Sequence, residues 1–421
     1  MTLPEYGKEE SEEALASLRL SEKIHIMGFT REARYITHCL AGTPELPPPQ
    51  LLAHQRVFVN SWGTSRRKLT VSSRDGGHAD NEILIPQYIG KSRNPWRPEL
   101  EMPRLKHIDN LIISTADNAI IPALMRIRDS INQDTTICVI TPGLGIVEYL
   151  NKVIFEDPST RPNFILGYSS HSLQNDPRNP KDPYSLRIRK RGRLLLSGLS
   201  FPSETESGTS EVATWERVAR RARTQHFLKL LATVPGLDTT NLPMAKLLRY
   251  KLPPMIFSSI ADAISVALGF PYERLVNDRY AQRLWRELWE ETIEIISALP
   301  ELKSSPEVLS YFTGHNFATE VNRYLRAQRG PSPWAKMVRN GLPLPIQGLN
   351  GWFVKKAEEL GLSSVHHRVM MNMIRAKEAT RKEELKSDIP LYRSSYMLDT
   401  DYLENDEEVP RQLVHVVYTN K

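Results

Sequence analysis

The first half of the chain alternates short apolar runs with stretches of helical period. The runs "IHIM", "NLIISTA" and "TTICVI" have the length and composition of buried strands. Amphipathic stretches follow them, namely "REARYITHCL", "IPALMRIRDSI" and "IVEYLNKVI". Four further segments read as strands: "RVFVNSW", "NEILIP", "NFILGYSSHSL" and "RGRLLLSGL". This succession predicts a mostly parallel sheet with helices on both faces.

The pattern changes at the polar segment "SFPSETESGTSE", which has the composition of a linker. Beyond it the apolar spacing is helical, as in "ATWERVARRARTQHFLKLLATV" and "AQRLWRELWEETIEIISAL". We therefore predict an α/β Rossmann-like N-terminal domain and an all-α C-terminal domain. The predicted boundaries are an acidic leader over 1–22, the Rossmann-like domain over 23–200, a linker over 201–212, the helical domain over 213–386 and an acidic tail over 387–421.

Composition narrows the classes of protein. The chain has 421 residues, which favours two or three domains. No run of about 18 apolar residues occurs, so no membrane span is predicted. The two cysteines, Cys39 and Cys138, exclude a disulfide framework and a cysteine metal site. The histidines, including adjacent His366 and His367, show no metal-ligand spacing, so no metal site is predicted.

Charge is unevenly distributed. The net charge is +6, although both ends are acidic, so the middle is more basic than the total indicates. Two basic clusters flank the linker, "RIRKRGR" and "ERVARRART". Their members are Arg187, Arg189, Lys190, Arg191, Arg193 and Arg217, Arg220, Arg221, Arg223. We expect them to converge into a surface for RNA or ribosome phosphates, the alternative being solvated edges of the fold. No RRM, KH or zinc-finger motif accompanies them.

The first strand leads into a degenerate nucleotide-binding turn, "GFTREA". Of the three glycines in the fingerprint G-x-G-x-x-G, only Gly28 is present, and Thr30 and Ala33 replace the others. The β-branched side chain of Thr30 obstructs the close backbone approach that a glycine permits.

Several segments together resemble the ketopantoate reductase family, especially its fungal branch. They include "IHIMG…HCLAG…PPPQLLAH", "NLIISTADNAIIPAL", "TPGLGIVEYLNKVIFEDPSTRPNFILGYSSHSL" and "MVRNGLPLPIQGLNGWFVKKAEELGL". The resemblance covers most of residues 23–380. It implies a Rossmann-type domain, a C-terminal helical domain like that of 6-phosphogluconate dehydrogenase, and reduction of 2-dehydropantoate by NADPH.

The chain departs from that family where the resemblance implies chemistry. The family's cofactor lysine falls on Ala116, or on Asp117 in a shifted register, and its cofactor asparagine falls on Pro142. The catalytic lysine falls on Met255, its two helical asparagines on Ser259 and Ala263, and the substrate serine and glutamate on Pro333 and Pro345. Methionine cannot donate a proton to a developing alkoxide. The framework residues Arg339, Gly341, Asn350 and Gly351 remain.

These losses in separate segments favour a pseudoenzyme without NADPH. Fungal proteins of this fold include mitochondrial factors for translation of cytochrome b mRNA. The resemblance therefore suggests a binding factor for mRNA or the mitochondrial ribosome, located in mitochondria although no typical presequence is visible, with the cytoplasm as the alternative.

Two alternatives remain open. In the first, the protein is an NADPH-dependent 2-keto acid reductase with Lys251 as the acid and with Arg31 and Arg34 on the cofactor phosphates. In the second, it is a scaffold, or a homo-oligomer that pairs through its helical domain.

Overall fold

A computed structural model describes residues 18, 20–63, 65, 67–73, 76–89, 105, 107–199 and 211–387, without the side chains of 117, 211–214 and 387. The chain divides into two compact units. The first comprises Met1–Thr141 and Val147–Leu242, and the second comprises Pro142–Ile146 and Pro243–Lys421. Most of the predicted leader and linker, and the tail beyond 387, lie outside the described residues.

The first unit is built on an eight-stranded sheet. Its strands are β1 (Ile24–Met27), β2 (Gln50–Ala53), β5 (Gln87–Tyr88), β6 (Asn110–Ile113), β7 (Thr136–Ile140), β8 (Asn163–Ser169), β11 (Leu194–Gly198) and β12 (Thr240–Asn241). Their spatial order is β12-β11-β8-β7-β6-β1-β2-β5. The neighbouring strands β8, β7, β6, β1, β2 and β5 all run parallel to one another, and β11 is antiparallel to β8. The predicted α/β domain with a mostly parallel sheet is confirmed.

A second, four-stranded sheet was not predicted. It contains β3 (Lys68–Ser72), β4 (His78–Glu82), β9 (Ser172–Asn175) and β10 (Ser185–Lys190), in the order β4-β3-β10-β9. The predicted strand "RVFVNSW" is instead a short helix, Arg56–Ser61. Phe58 of this helix stacks on Phe29, with ring centroids 3.9 Å apart. Phe58 has the aromatic side chain that is common in strands, but here it packs into the core from a helix.

Among the described residues, five α-helices belong to the first unit. They are α1 (Arg31–Ala41), α2 (Arg56–Ser61), α3 (Asp117–Leu124), α4 (Ile146–Val153, whose first residue falls in the second unit) and α5 (Glu211–Thr233). The predicted boundary is wrong for α5, which was assigned to the helical domain. Phe227 and Leu231 of α5 are fully buried in the core that also contains Ile165 of β8. The helix therefore covers the sheet, and the boundary follows Leu242.

The second unit is all-α, as predicted. Its helices are α6 (Met244–Phe257), α7 (Ala263–Leu268), α8 (Tyr272–Asn277), α9 (Arg279–Ala298), α10 (Pro300–Lys303), α11 (Pro306–Thr313), α12 (His315–Ala327), α13 (Pro333–Arg339), α14 (Asn350–Leu360) and α15 (Val365–Ser387). A π-helical turn, Ser258–Asp262, joins α6 to α7. The continuous run Met244–Leu268 is long and apolar enough to cross a membrane, but 94% of its most apolar window is buried. Such burial is typical of a core helix.

Candidate functional site

The turn between β1 and α1 needs Gly28 for the fold itself. Gly28 has φ +120°, and a Cβ there would lie 2.0 Å from the carbonyl oxygen of Ser114. The backbone N–H of Gly28 donates to Leu52 O at 3.0 Å, and that of Ser114 donates to Met27 O at 3.0 Å. Three strand ends therefore meet at this residue, and its glycine is required with or without a ligand.

Thr30 places its hydroxyl on the N-terminus of α1. Its Oγ1 accepts from the N–H of Ala33 at 3.1 Å and lies 2.7 Å from Ser114 Oγ. A dinucleotide-binding turn leaves this end of the helix open for a pyrophosphate. Here a side chain caps the helix instead, so the residues present do not reproduce that cradle.

The two arginines of α1 are also engaged inside the protein. Arg31 and Arg34 are only 3% and 1% exposed. Arg31 Nη1 donates to Leu173 O at 2.8 Å, whereas Arg34 donates to Pro183 O and, at 2.9 Å, to Asn175 Oδ1. Both guanidinium groups thus tie α1 to the second sheet and its flanking loop. This arrangement differs from the phosphate-binding role that the enzyme alternative gives them.

The other predicted cofactor positions carry no polar side chain. Ala116 is the residue before α3 and makes no side-chain cap. Pro142 begins the loop Pro142–Ile146, which clusters with the second unit. In this loop Leu144 N–H donates to Gly348 O at 3.1 Å, and a Cβ on Gly143 would lie 2.5 Å from the same oxygen. The loop is therefore closely packed on the chain around Gly348.

The predicted catalytic positions are all buried in the second unit. Met255 is 2% exposed, and Lys251, Ser259 and Ala263 are 0% exposed. They lie along the continuous run of α6, the π turn and α7. Lys251 therefore reaches no surface of the described chain.

The two predicted substrate positions are prolines with structural surroundings. Pro333 is the first residue of α13, where Ser332 caps the helix by accepting from Ala335 N–H at 3.1 Å. Next to Pro345, the N–H of Leu344 donates to Glu378 Oε1 at 2.8 Å. Proline suits the first turn of a helix because its missing N–H is not needed there.

A buried hydrogen-bonded chain, which we call the polar core, links Ser259, Asn350, His367 and Thr292. Asn350 Nδ2 donates to Ser259 O at 2.8 Å and lies 3.1 Å from His367 Nδ1. His367 Nε2 lies 2.8 Å from Thr292 Oγ1, which itself donates to Leu288 O at 2.6 Å. Thr292 must therefore accept from His367 Nε2–H, and Nδ1 must accept from Asn350. The network assigns a neutral imidazole with its proton on Nε2.

The electrostatics of the polar core agree with this assignment. Burial lowers the pKa of His367 to about 3. The neighbouring carboxylate of Glu291 accepts from the N–H groups of His366 and His367, at 2.9 Å each, and so caps the start of α15. The sequence draws attention to the histidine pair and to Asn350. It does not reveal the hydrogen bonds that link them to Thr292, because Thr292 lies 75 residues from His367.

Asp262 is another buried ionisable group in this unit. It ends the π turn, and Tyr272 Oη donates to its carboxylate. Burial raises the pKa of Asp262 to about 7, against hydrogen bonds from Tyr272 and Ser258 that lower it. No signal in the sequence marked this residue. Among the described residues, no group of three or more His, Cys, Asp or Glu side chains is placed to hold a metal ion.

The first basic cluster lies on β10 of the second sheet and in the turn after it, and the second cluster lies on α5. Arg193 and Arg223 place the two clusters at opposite ends of strands of the main sheet. Arg193 directly precedes β11, whose first residue pairs with Ser169 at the carboxyl end of β8. Arg223 instead pairs with Asp134, at 2.9 Å, before the amino end of β7. The five residues of β11 separate these ends by about 17 Å. The predicted convergence of the clusters is therefore wrong.

Comparison with known proteins gives a class for this architecture. Residues 246–378 match the family described as ketopantoate reductase PanE/ApbA C terminal. The PanE/ApbA family ketopantoate reductase from Ralstonia eutropha has the same fold, with a TM-score of 0.55 and 15% identity over 86% of this chain and 99% of that one. A dimeric ketopantoate reductase from Staphylococcus aureus gives 0.52 and 14%, over 85% and 99%. The chain thus has the ketopantoate reductase fold.

Curated relatives are reductases of 2-keto acids. The 2-dehydropantoate 2-reductase of Saccharomyces cerevisiae is 37% identical over 71 residues, which are 17% of this chain and only 19% of that enzyme. Ketoisovalerate reductase of Beauveria bassiana is 20% identical over 413 residues, 86% of this chain and 85% of that protein. The match to the family model is confined to the helical unit, and the solved structures share the fold of the chain.

Proposed function

We propose that this chain is a non-catalytic protein of the ketopantoate reductase fold that acts by binding a partner. The observation that carries the proposal is the Thr30 hydroxyl, which caps α1 and pairs with Ser114 where a cofactor pyrophosphate would approach. Hydride transfer to a keto group also needs an acid near the carbonyl oxygen and a fixed substrate. The positions aligned with those roles hold Met255, Pro333 and Pro345.

The partner we propose is mRNA or the mitochondrial ribosome, with a role in mitochondrial gene expression such as translational activation. The resemblance to fungal factors of this fold and the exposed basic residues around Arg191 support this role. Binding through phosphate contacts falls steeply with salt. Pull-down of the chain from mitochondrial extract, with and without RNase, tests the proposal. Recovery of ribosomal or messenger RNA in the untreated sample supports it, and recovery of neither RNA nor ribosomal proteins contradicts it.

The second candidate is an NADPH-dependent 2-keto acid reductase with a rearranged site. The full-length similarity to ketoisovalerate reductase favours it. Lys251 would then be the acid, although it is fully buried in the second unit. Calorimetric titration with NADPH separates the two candidates, followed by an assay of NADPH oxidation with 2-dehydropantoate and 2-ketoisovalerate. Oxidation that is lost in Lys251→Met would establish the reductase and overturn our proposal.

A homo-oligomer is compatible with either candidate. The Staphylococcus aureus relative is described as dimeric. We propose pairing through the helical unit, and size-exclusion chromatography with light scattering measures it directly.

A further inference from the structure

The turn between β10 and β11 presents consecutive basic side chains. We call Arg189–Arg193 the arginine turn. The register of β10 on β9 shifts between Ile188 and Lys190, as in a β-bulge. A bulge breaks the alternation of side chains between the two faces of a sheet. Arg189, Lys190, Arg191 and Arg193 are consequently all exposed.

The arginine turn is held rigidly at its base. Gly192 N–H donates to His171 Nδ1 at 3.1 Å, and Arg193 N–H donates to Ser170 Oγ at 2.8 Å. A Cβ on Gly192 would lie 2.3 Å from the backbone of Ser170, so only glycine fits. A turn fixed in this way loses little entropy when its side chains bind a ligand.

A polar depression of about 600 Å³ adjoins the turn. Its lining combines one guanidinium, one carboxylate and three hydroxyls, from Arg193, Asp238, Thr233, Thr239 and Thr240. His171 bonds both to the arginine turn and to the chain beside the depression. His171 Nδ1 accepts from Gly192, so its Nε2–H donates to Leu237 O, at 3.2 Å, beside the depression.

We infer that the arginine turn and this depression form a single-stranded RNA-binding surface, an inference that rests on the proposed function and names its contact site. The cations neutralise phosphates. The Thr240 hydroxyl can donate to the ribose 2′-hydroxyl. The Asp238 carboxylate and the oxygens of Thr233 and Thr239, whose protons go to Leu230 O and Leu231 O, can accept from it. The lining contains no aromatic side chain on which a base could stack, so we expect contacts to phosphate and ribose, which carry no sequence information. The α5 arginines at the other end of the strands take no part.

Two matched double variants of the full chain test this inference. The first is Arg191→Gln with Arg193→Gln, and the control on α5 is Arg217→Gln with Arg221→Gln. All four residues are exposed, and each variant removes two charges. Fluorescence anisotropy with a short labelled RNA of mixed sequence gives Kd between about 50 and 200 mM salt. Urea unfolding verifies that both variants remain folded.

We expect the arginine-turn variant to bind RNA about tenfold more weakly or worse, and its salt slope to fall by about 1.4 for two lost contacts. The α5 variant is expected to retain the wild-type Kd within about twofold. Loss of binding in the α5 variant alone would overturn the inference and leave the proposed function intact. Failure of the wild-type chain to bind RNA at any salt concentration would overturn the inference, whereas the pull-down from mitochondrial extract decides the proposed function separately. Equal competition by DNA of the same sequence would contradict the ribose contacts.

Discussion

The β1–α1 turn and the polar core both bury hydrogen-bonded polar groups, but they do so by different means. In the turn, the Thr30 hydroxyl accepts from Ala33 N–H and bonds to Ser114 just beyond β6, and Arg31 donates to a backbone carbonyl oxygen of β9. In the polar core, full burial forces His367 into its neutral form. The comparison indicates that the turn adds modestly to stability, whereas the polar core is essential for the helical unit.

The largest effect is expected in the polar core. His367→Ala removes the imidazole from Asn350 and Thr292, which keep only their backbone acceptors, Ser259 O and Leu288 O. It also opens a cavity beside Phe353, whose ring stacks on the imidazole with centroids 4.8 Å apart. We expect a loss of about 4 kcal/mol in the free energy of unfolding, measured by urea denaturation. The control His366→Ala removes a half-exposed neighbour and is expected to cost less than about 1 kcal/mol. Equal losses of unfolding free energy in the two variants would contradict the special importance of the buried His367.

Asp262 makes the stability of the helical unit depend on pH, which adds a second test of the comparison. Its pKa is about 7 in the folded chain, against an ordinary value of 3.8, so the folded state keeps a proton that the unfolded chain releases. Its contribution to stability is complete below about pH 4 and is lost as the pH rises through 7.

Asp262→Asn isolates this contribution, since His367, whose lowered pKa acts in the opposite direction, is common to both proteins. We expect the stability of wild type relative to the variant to fall by on the order of 3 kcal/mol between about pH 4 and 7. A difference that does not change with pH would show that the carboxyl group is ionised throughout.

A smaller effect is expected in the turn. Thr30→Ala removes the cap of α1 and the contact with Ser114, which predicts a loss of about 1–2 kcal/mol. Thr30→Ser keeps the hydroxyl and is expected to stay within about 0.5 kcal/mol of wild type. Thermal and urea unfolding of both variants provide the measurement. If Thr30→Ser is as destabilising as Thr30→Ala, the hydroxyl is not what stabilises the turn.

The sequence predicts those parts of the fold in which apolar residues recur with a clear period. Buried runs such as that ending at Ile113 predicted the parallel sheet. The second sheet was missed because β4, "HADNE", is polar at four of five positions and shows no alternation. Helix α5 was placed in the wrong unit because a helical period does not reveal which surface the helix covers.

The residues of the candidate site could be predicted from the sequence, but the contacts between them could not. The replaced glycine at Thr30 was visible in the sequence, whereas its bond to Ser114 joins residues 84 positions apart. The basic clusters lie close to one linker in sequence. Their separation in space follows from α5, whose 23 residues span about 34 Å along the face of the sheet.

Calorimetric titration of NADPH into the full chain tests the central claim most directly. The Saccharomyces cerevisiae 2-dehydropantoate 2-reductase, titrated under the same conditions, is the positive control. The capped turn predicts no saturable heat from this chain at NADPH concentrations that saturate the control. Saturable binding of NADPH, followed by its oxidation when 2-dehydropantoate is added, would contradict the account.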